Sequence, residues 1–311
     1  MNAMLEIPEM QSASARELVR ARPMLGTMVE ISASGSDAAQ TQAAIARAFA
    51  EIEIVHGLMS YHDANSDVSR INRDAFNAEV PVAAHTYRVL RAARLMAEAS
   101  NGVFDISIAP QLTRLGFLPK HADFPRVPCR GNWRDIVLLP DNRVRLACNL
   151  NIDLSGIAKG YAVDLAIRAL ADAGMVAGRV NAGGDLRVFG DAAQAVSVRA
   201  PHAHTHTIPL LELTHGAAAT SAGYYSERLH QGQMVTPIIH PHSKLACASG
   251  YSVTVLAKDC MTADALTKVV YANPRGAAAV LKSYKARALI VEHDAQSGAC
   301  HIFDSQQALQ S

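Results

Sequence analysis

Residues 151–174 commit the chain to one local arrangement, a buried strand end running straight into a helix. Asn151-Ile-Asp-Leu-Ser155 reads as the strand end, with Ser155 placed to cap the helix that follows. Apolar or small residues then recur at Ile157, Tyr161, Ala162, Leu165, Ala169 and Leu170, the spacing of a helix face turned toward a core. Gly174 is placed to end the helix. Gly156, Lys159 and Gly160 fall in its first turns. Free N–H groups at a helix start favour anions, glycines permit close approach, and a lysine adds a full charge, so the pattern suits a phosphate-bearing ligand. The same spacing also reads as an ordinary capped amphipathic helix with a solvent-facing lysine, because the P-loop pattern is not matched.

The rest of the pattern sets the fold class. Strands are expected at 27–34, 143–151, 195–199, 207–213, 251–256, 289–291 and 300–303. Another spans 179–189 and is interrupted by Gly183-Gly184. Helices are expected at 38–59, 86–100 and 262–271, with stops at Asn101-Gly102 and Asn273-Pro274. Helices grouped between runs of strands favour α+β over a doubly wound parallel sheet.

Composition narrows the function. With 311 residues, half of them hydrophobic, the chain can build one large domain or two intimately packed halves. A net charge of +1 argues against nucleic acid as the main partner. No run approaches the roughly 18–20 apolar residues of a transmembrane helix. Residues 1–21 read as a polar, disordered extension without the apolar core of an intact signal peptide, ahead of a single domain over 22–311. The five cysteines are scattered with no C-x-x-C, which fits free buried thiols rather than a disulfide framework or a zinc site. As it stands the chain is expected in the cytoplasm, and in the periplasm if a signal segment has been removed. His202-Ala-His204-Thr-His206 reads as a solvated loop, or as an adventitious metal site if all three imidazoles share a strand face.

A second segment carries chemistry. In Cys260-Met-Thr-Ala-Asp264-Ala-Leu-Thr-Lys268, Thr262 can cap a helix, which puts Asp264 in the first turn and Lys268 one turn later on the same face. Two readings stand: a surface ion pair, or an acid at a helix start facing a ligand or cation.

Leu25-Gly-Thr27 opens a strand, and Met59-Ser-Tyr61-His62 leads to Ser66-Asp-Val-Ser-Arg-Ile-Asn72. Gly102-Val103-Phe104-Asp105, Leu115-Gly-Phe117, the 153–164 run, Asn181-Ala-Gly183-Gly184-Asp185, Ala219-Thr-Ser221, Ile238-Ile239-His240-Pro241 and Ala263-Asp-Ala-Leu266 follow in order. This ordered set, from about 22 to about 271, resembles the ApbE family of FAD:protein FMN transferases. The resemblance implies an α+β, T-fold-like protein of two related halves with antiparallel sheets and helices around a deep FAD cleft. It implies a divalent cation, usually magnesium, at the FAD pyrophosphate. It further implies transfer of FMN to a threonine hydroxyl of an acceptor protein, with release of AMP.

Carried onto this sequence, the resemblance puts Leu25 at the flavin and Tyr61 or His62 at the position that stacks on the ring. Val103, Phe104, Asp105 and Ile239 match the FAD-lining segments, and Lys159 a FAD-contacting position. Gly183, Gly184 and Asp185 match the glycine pair that lets the nucleotide lie against the backbone. Ala162 matches a carbonyl that reaches the metal, and Asp264 the metal-binding aspartate. Two positions depart. Lys268 stands where the family has a threonine ligand, with Thr267 one step early and about 100° around the helix. Pro237 stands in place of the family's histidine, while His240 is gained in place of an aspartate. Lys268 and His240 thus become candidate catalytic groups, the first replacing part of a metal's charge and the second serving as base. Three readings follow: a flavin transferase, a hydrolase splitting FAD into FMN and AMP, and a FAD-binding or flavin-delivery protein without the reaction.

Overall fold

The computed structural model describes residues 16–125, 131–200, 203–293 and 300–305. Its spine is eight antiparallel strands lying side by side in chain order. They are β1 Arg16–Met24, β2 Thr27–Gly35, β3 Ala177–Ala182, β4 Asp185–Phe189, β5 Gly216–Ala222, β6 Tyr251–Ala257, β7 Arg287–His293 and β8 Cys300–Asp304. Between β2 and β3 come α1 Ala38–Met59, α2 Asp67–Asp74, α3 Ala84–Ala99, α4 Ala109–Arg114 and α5 Ala158–Asp172. Between β6 and β7 come α6 Cys260–Ala272 and α7 Ala278–Ser283. Each half of the sheet is therefore two strands, a helical insertion and two more strands. This is the α+β arrangement of two related halves that the resemblance implies.

The pleat sorts the strand residues onto two faces. Val29, Ile31, Val180, Ala182, Ala217, Ala219, Val253 and Val255 point into the main core, beneath α1, α5 and α6. On the other face Leu186, Val188 and Ala218 form a smaller core with Val196, which belongs to a hairpin of strands Gln194–Ala200 and Ala203–Leu213. Helix α5 lies between α1 and α6 and is buried along nearly its whole length, as its small and apolar residues require. It ends as expected at Gly174, whose φ is +77°. There Met175 N–H donates to the Leu170 carbonyl at 3.2 Å and Gly174 N–H to Ala171 at 2.9 Å, the two bonds of a Schellman stop.

Several expectations need correction. The polar extension does not run to 21, because residues from Arg16 onward form β1, paired with β2 along its length. An edge strand with mostly exposed side chains has no buried face to leave a hydrophobic signature. The strand expected over 143–151 stops at Leu146. Beyond it the buried chain finds side-chain partners instead: Ile152 N–H donates to Asn72 Oδ1 at 2.7 Å, and Asn72 Nδ2 donates to the Ile152 carbonyl at 2.9 Å. Ser155 caps nothing; its hydroxyl and N–H both donate to Asp153, and α5 begins only at Ala158. Helix α6 starts two residues early, capped by Asp259, whose carboxylate accepts from Thr262 N–H at 2.9 Å. Asp264 accordingly sits in the second turn. Among the described cysteines only Cys260 is buried, while Cys148 and Cys247 are intermediate and Cys300 exposed; Cys129 lies outside the described residues. His202 and the side chains of His204 and His206 also lie outside them. No helix among the described residues is long and apolar enough to cross a membrane.

Candidate functional site

At one end of the strands a cleft of about 1160 Å³ opens, larger than most small-molecule pockets. Two tight turns form one wall. Leu25 and Gly26 join β1 to β2 with φ of 55° and 71°, and Gly183 and Gly184 join β3 to β4 with φ of 64° and 103°. The turns pack against each other so closely that a Cβ on Gly183 would lie 2.4 Å from Thr27 Oγ1. The opposite wall comes from Val103, Phe104 and Asp105 after α3, and from Ile239 with its neighbours Pro237 and Ile238. The start of α5 and one side chain of α6 close the floor.

That floor holds a compact set of charges. Lys159 donates to Asp185 Oδ2, and Lys268 donates to Asp264 Oδ1. Asp264 is fully buried, and its second oxygen accepts from Gly160 N–H at 3.2 Å. The two lysine side chains keep 31 % and 24 % of their surface exposed, toward the cleft that both line. Burial alone would raise the Asp264 carboxyl, but the Lys159 and Lys268 ammoniums outweigh it and hold the group below the usual carboxylate range. At Asp185, burial and the neighbouring Asp264 charge prevail over both lysines and raise the carboxyl. Burial works against the charge on Lys159, yet Asp185 and Asp264 together keep its ammonium more firmly protonated than usual.

The two helices are brought to this contact by residues outside the cleft lining. Asp164, one turn after Gly160 on α5, accepts from the first two N–H groups of α6, Cys260 at 2.8 Å and Met261 at 2.9 Å. A carboxylate at a helix start satisfies orphan donors and the dipole together. Arg187 holds that carboxylate from the other side at 2.6 Å. Gly160 is the point of closest approach: a Cβ there would lie 2.3 Å from the Cys260 carbonyl oxygen. Its role is helix packing rather than ligand approach. Gly156 does border the cleft, with only the Lys268 stem nearby at 3.5 Å.

The structure thus brings Leu25, Val103, Phe104, Asp105, Lys159, Gly183, Gly184, Ile239 and Lys268 to one cleft, with Asp185 and Asp264 buried directly beneath. Four expected residues fall elsewhere. Tyr61 is buried in an aromatic cluster, its ring 5.4 Å from His121 and 5.6 Å from Phe124, and His62 is exposed; neither lines the cleft. The aromatic residues that do line it are Phe104 and Tyr225. His240 follows Ile239 in a short strand, so the alternation that turns Ile239 inward turns His240 away. Its Nδ1 accepts from Ser243 N–H at 3.2 Å, a turn contact. Ala162 is fully buried in the second turn of α5 and does not reach the cleft. Sequence reasoning also missed Arg179 and Glu30, a 2.5 Å ion pair on the cleft wall. Period-two alternation from the quoted Asn181 would have found Arg179.

The donor set can be tested against the divalent cation that the resemblance implies, and it does not fit. Both Asp264 oxygens are engaged, one by an ammonium. The Thr267 hydroxyl donates to the Asp264 carbonyl at 2.7 Å and meets Ser221 Oγ at 2.7 Å, so it turns back into the protein. Lys268 brings a positive charge where an oxygen ligand is expected. Among the described residues no three His, Cys, Asp or Glu side chains cluster as a metal site.

The profile of the ApbE family matches residues 25–290. A FAD:protein FMN transferase of Vibrio cholerae serotype O1 is 27% identical over 243 residues, 73% of this chain and 73% of that protein. A FAD:protein FMN transferase of Salmonella typhimurium is 23% identical over 285 residues, 83% of this chain and 79% of that protein. Among solved structures, the ApbE protein from Thermotoga maritima superposes with a TM-score of 0.80 at 27% identity, over 95% of this chain and 100% of that one. The flavin transferase ApbE from Vibrio cholerae superposes with a TM-score of 0.78 at 23% identity, over 95% and 99%, which speaks for the fold alone.

Proposed function

The chain belongs to the ApbE family, and from that we propose that it is a FAD:protein FMN transferase, moving FMN from FAD to an acceptor protein. The observation that carries the reading is the cleft itself, in which an apolar, aromatic wall faces two ammonium groups, one from the start of α5 and one from α6. A flavin dinucleotide has that duality, an apolar ring at one end and a dianionic pyrophosphate in its middle. Phe104 and Tyr225 offer aromatic faces to the ring. The Gly183-Gly184 turn has no side chain to keep a nucleotide off its backbone.

The acceptor is a threonine hydroxyl in this reading. Its oxygen attacks the phosphorus that bears riboflavin, a new P–O bond forms, and the bridging P–O bond of the pyrophosphate breaks. AMP leaves with the bridging oxygen. Negative charge grows on the phosphate oxygens and on AMP, and Lys159 and Lys268 stand where it grows. Phosphoryl transfer of this kind depends mostly on positioning and charge stabilisation. The hydroxyl proton passes to a cleft carboxylate, for which Asp105 is a candidate by its place on the wall.

Incubation with FAD and a threonine-bearing acceptor, followed by mass spectrometry, tests this. The expected result is acceptor carrying FMN, with an equal amount of AMP. Free FMN with unmodified acceptor would identify a hydrolase, and intact FAD a carrier. FAD should also bind more tightly than riboflavin, which lacks every phosphate contact; equal affinities by calorimetry would sink the reading. His240→Ala should keep transfer within about threefold, whereas losing a general base costs about 100-fold or more.

A further inference from the structure

We infer that Lys159 and Lys268 form a built-in pair of cations that holds the FAD pyrophosphate in place of a divalent metal ion. The inference rests on the flavin reading above and extends it to how the charge at the phosphates is met. Four observations carry it.

First, the pair is organised before any ligand arrives. Each ammonium is anchored by a separate buried carboxylate, Lys159 by Asp185 and Lys268 by Asp264. A lysine ammonium has three donors, and one anchoring contact leaves donors for the cleft. Second, the anchors come from rigid elements. Lys159 lies in the first turn of α5, Asp264 and Lys268 are one turn apart on α6, and Asp185 opens β4. Asp164 ties the two helices together by accepting from both Cys260 and Met261.

Third, the ammoniums lie on the cleft side of their carboxylates, partly exposed above two buried aspartates, so a dianionic pyrophosphate meets the two cations first and the counter-charges sit behind them. A magnesium ion added here would lie beside both ammoniums, and repulsion between cations in a partly buried site is strong. Fourth, the oxygens a metal would need are committed. Asp264 is held by Lys268 and Gly160 N–H, and the Thr267 hydroxyl by the Asp264 carbonyl and Ser221. Gly156, bare of a side chain, leaves the flank of Lys268 open to the cleft.

The test is a calorimetric FAD titration of the unmodified protein in excess EDTA and again in millimolar magnesium chloride. Electron paramagnetic resonance of Mn2+ with protein and FAD accompanies it. The affinity should agree within about twofold between the two media, and the Mn2+ signal should match that of FAD alone. FAD binding about tenfold or more tighter with magnesium, or protein-bound Mn2+, would overturn the inference and leave the flavin reading standing. Absence of FAD binding in both media would overturn the two together. Lys268→Thr supplies an oxygen in place of the ammonium. It should bind FAD about tenfold or more weakly in EDTA and recover with magnesium. FAD affinity in EDTA equal to that of the unmodified protein would overturn the inference. The Mn2+ measurement needs no variant, so it decides the matter even if Lys268→Thr does not fold.

Discussion

Lys159→Met should weaken FAD binding by about 1.5–3 kcal/mol, the range for hydrogen bonds to charged groups, and should destabilise the fold as well. Methionine keeps much of the stem and removes only the charge. A lysine on a solvent-facing helix surface would contribute little to stability. Here the ammonium is the partner of Asp185, which is buried to 1 % exposure and lies near a second buried carboxylate. Removing one partner of a buried ion pair costs about 3–5 kcal/mol, and the partial exposure of Lys159 points to the lower end. The deficit should depend on pH in a definite direction. The Asp185 carboxyl is already raised above its ordinary 3.8 by burial and by Asp264, and losing Lys159 raises it further. A carboxyl with a raised folded value binds its proton in the native state first, so lowering the pH through that window favours the native state. The gap in unfolding midpoint between variant and unmodified protein should therefore narrow as pH falls. A gap independent of pH, or unaltered stability at neutral pH, would remove Asp185 as the anchor of Lys159.

Much of this site was legible in the sequence because its motifs occur in the order of the ApbE family. That order placed the Leu25-Gly-Thr27 turn, the Val103–Asp105 wall and the Gly183-Gly184 turn at the site, and the helix-start pattern singled out Lys159. The helix at 38–59 was readable to both ends, since its buried residues keep helical spacing and Asp37 caps it. Contacts between distant segments were not legible. Nothing local says that Asp185 would hold Lys159, or that Asp264 would accept from the backbone of Gly160. His240 looked catalytic by type and position, yet a single step of strand alternation turned it away. Strand β5 was missed because its alanines carry no strand signature; it is a strand because α6 covers it and β4 and β6 flank it. Tyr61 was expected at the flavin, but an aromatic ring is equally suited to a core, and His121 and Phe124 claim it.

Gly160→Ala should be strongly destabilising, while Gly156→Ala, four residues earlier, should be nearly neutral for stability. Both glycines read alike in sequence, as places where a ligand could approach a helix start. Only the three-dimensional neighbours separate them. A methyl group at 160 would press on the Cys260 carbonyl oxygen at 2.3 Å, its carbon at 2.6 Å and the Met261 Cα at 2.8 Å. These are backbone atoms of the first turn of α6, and Asp164 and Asp259 hold that turn in place. No rotamer change can relieve the contact, so α6 as a whole must shift. Overpacking costs about 1–3 kcal/mol where side chains can yield, and a backbone clash belongs at or above the upper end. The displaced helix carries Asp264 and Lys268, so FAD affinity should fall with stability. At 156 the nearest atom is Lys268 Cε at 3.5 Å, an ordinary contact with a flexible stem, and the unfolding midpoint should barely move. The added methyl would still enter the cleft beside Lys268, so any cost should appear in FAD binding alone. Thermal unfolding and FAD titration of the two variants separate these outcomes. Equal midpoints for Gly160→Ala and the unmodified protein would mean that α5 and α6 do not meet at Gly160, and that the Asp264–Lys268 pair is positioned in some other way.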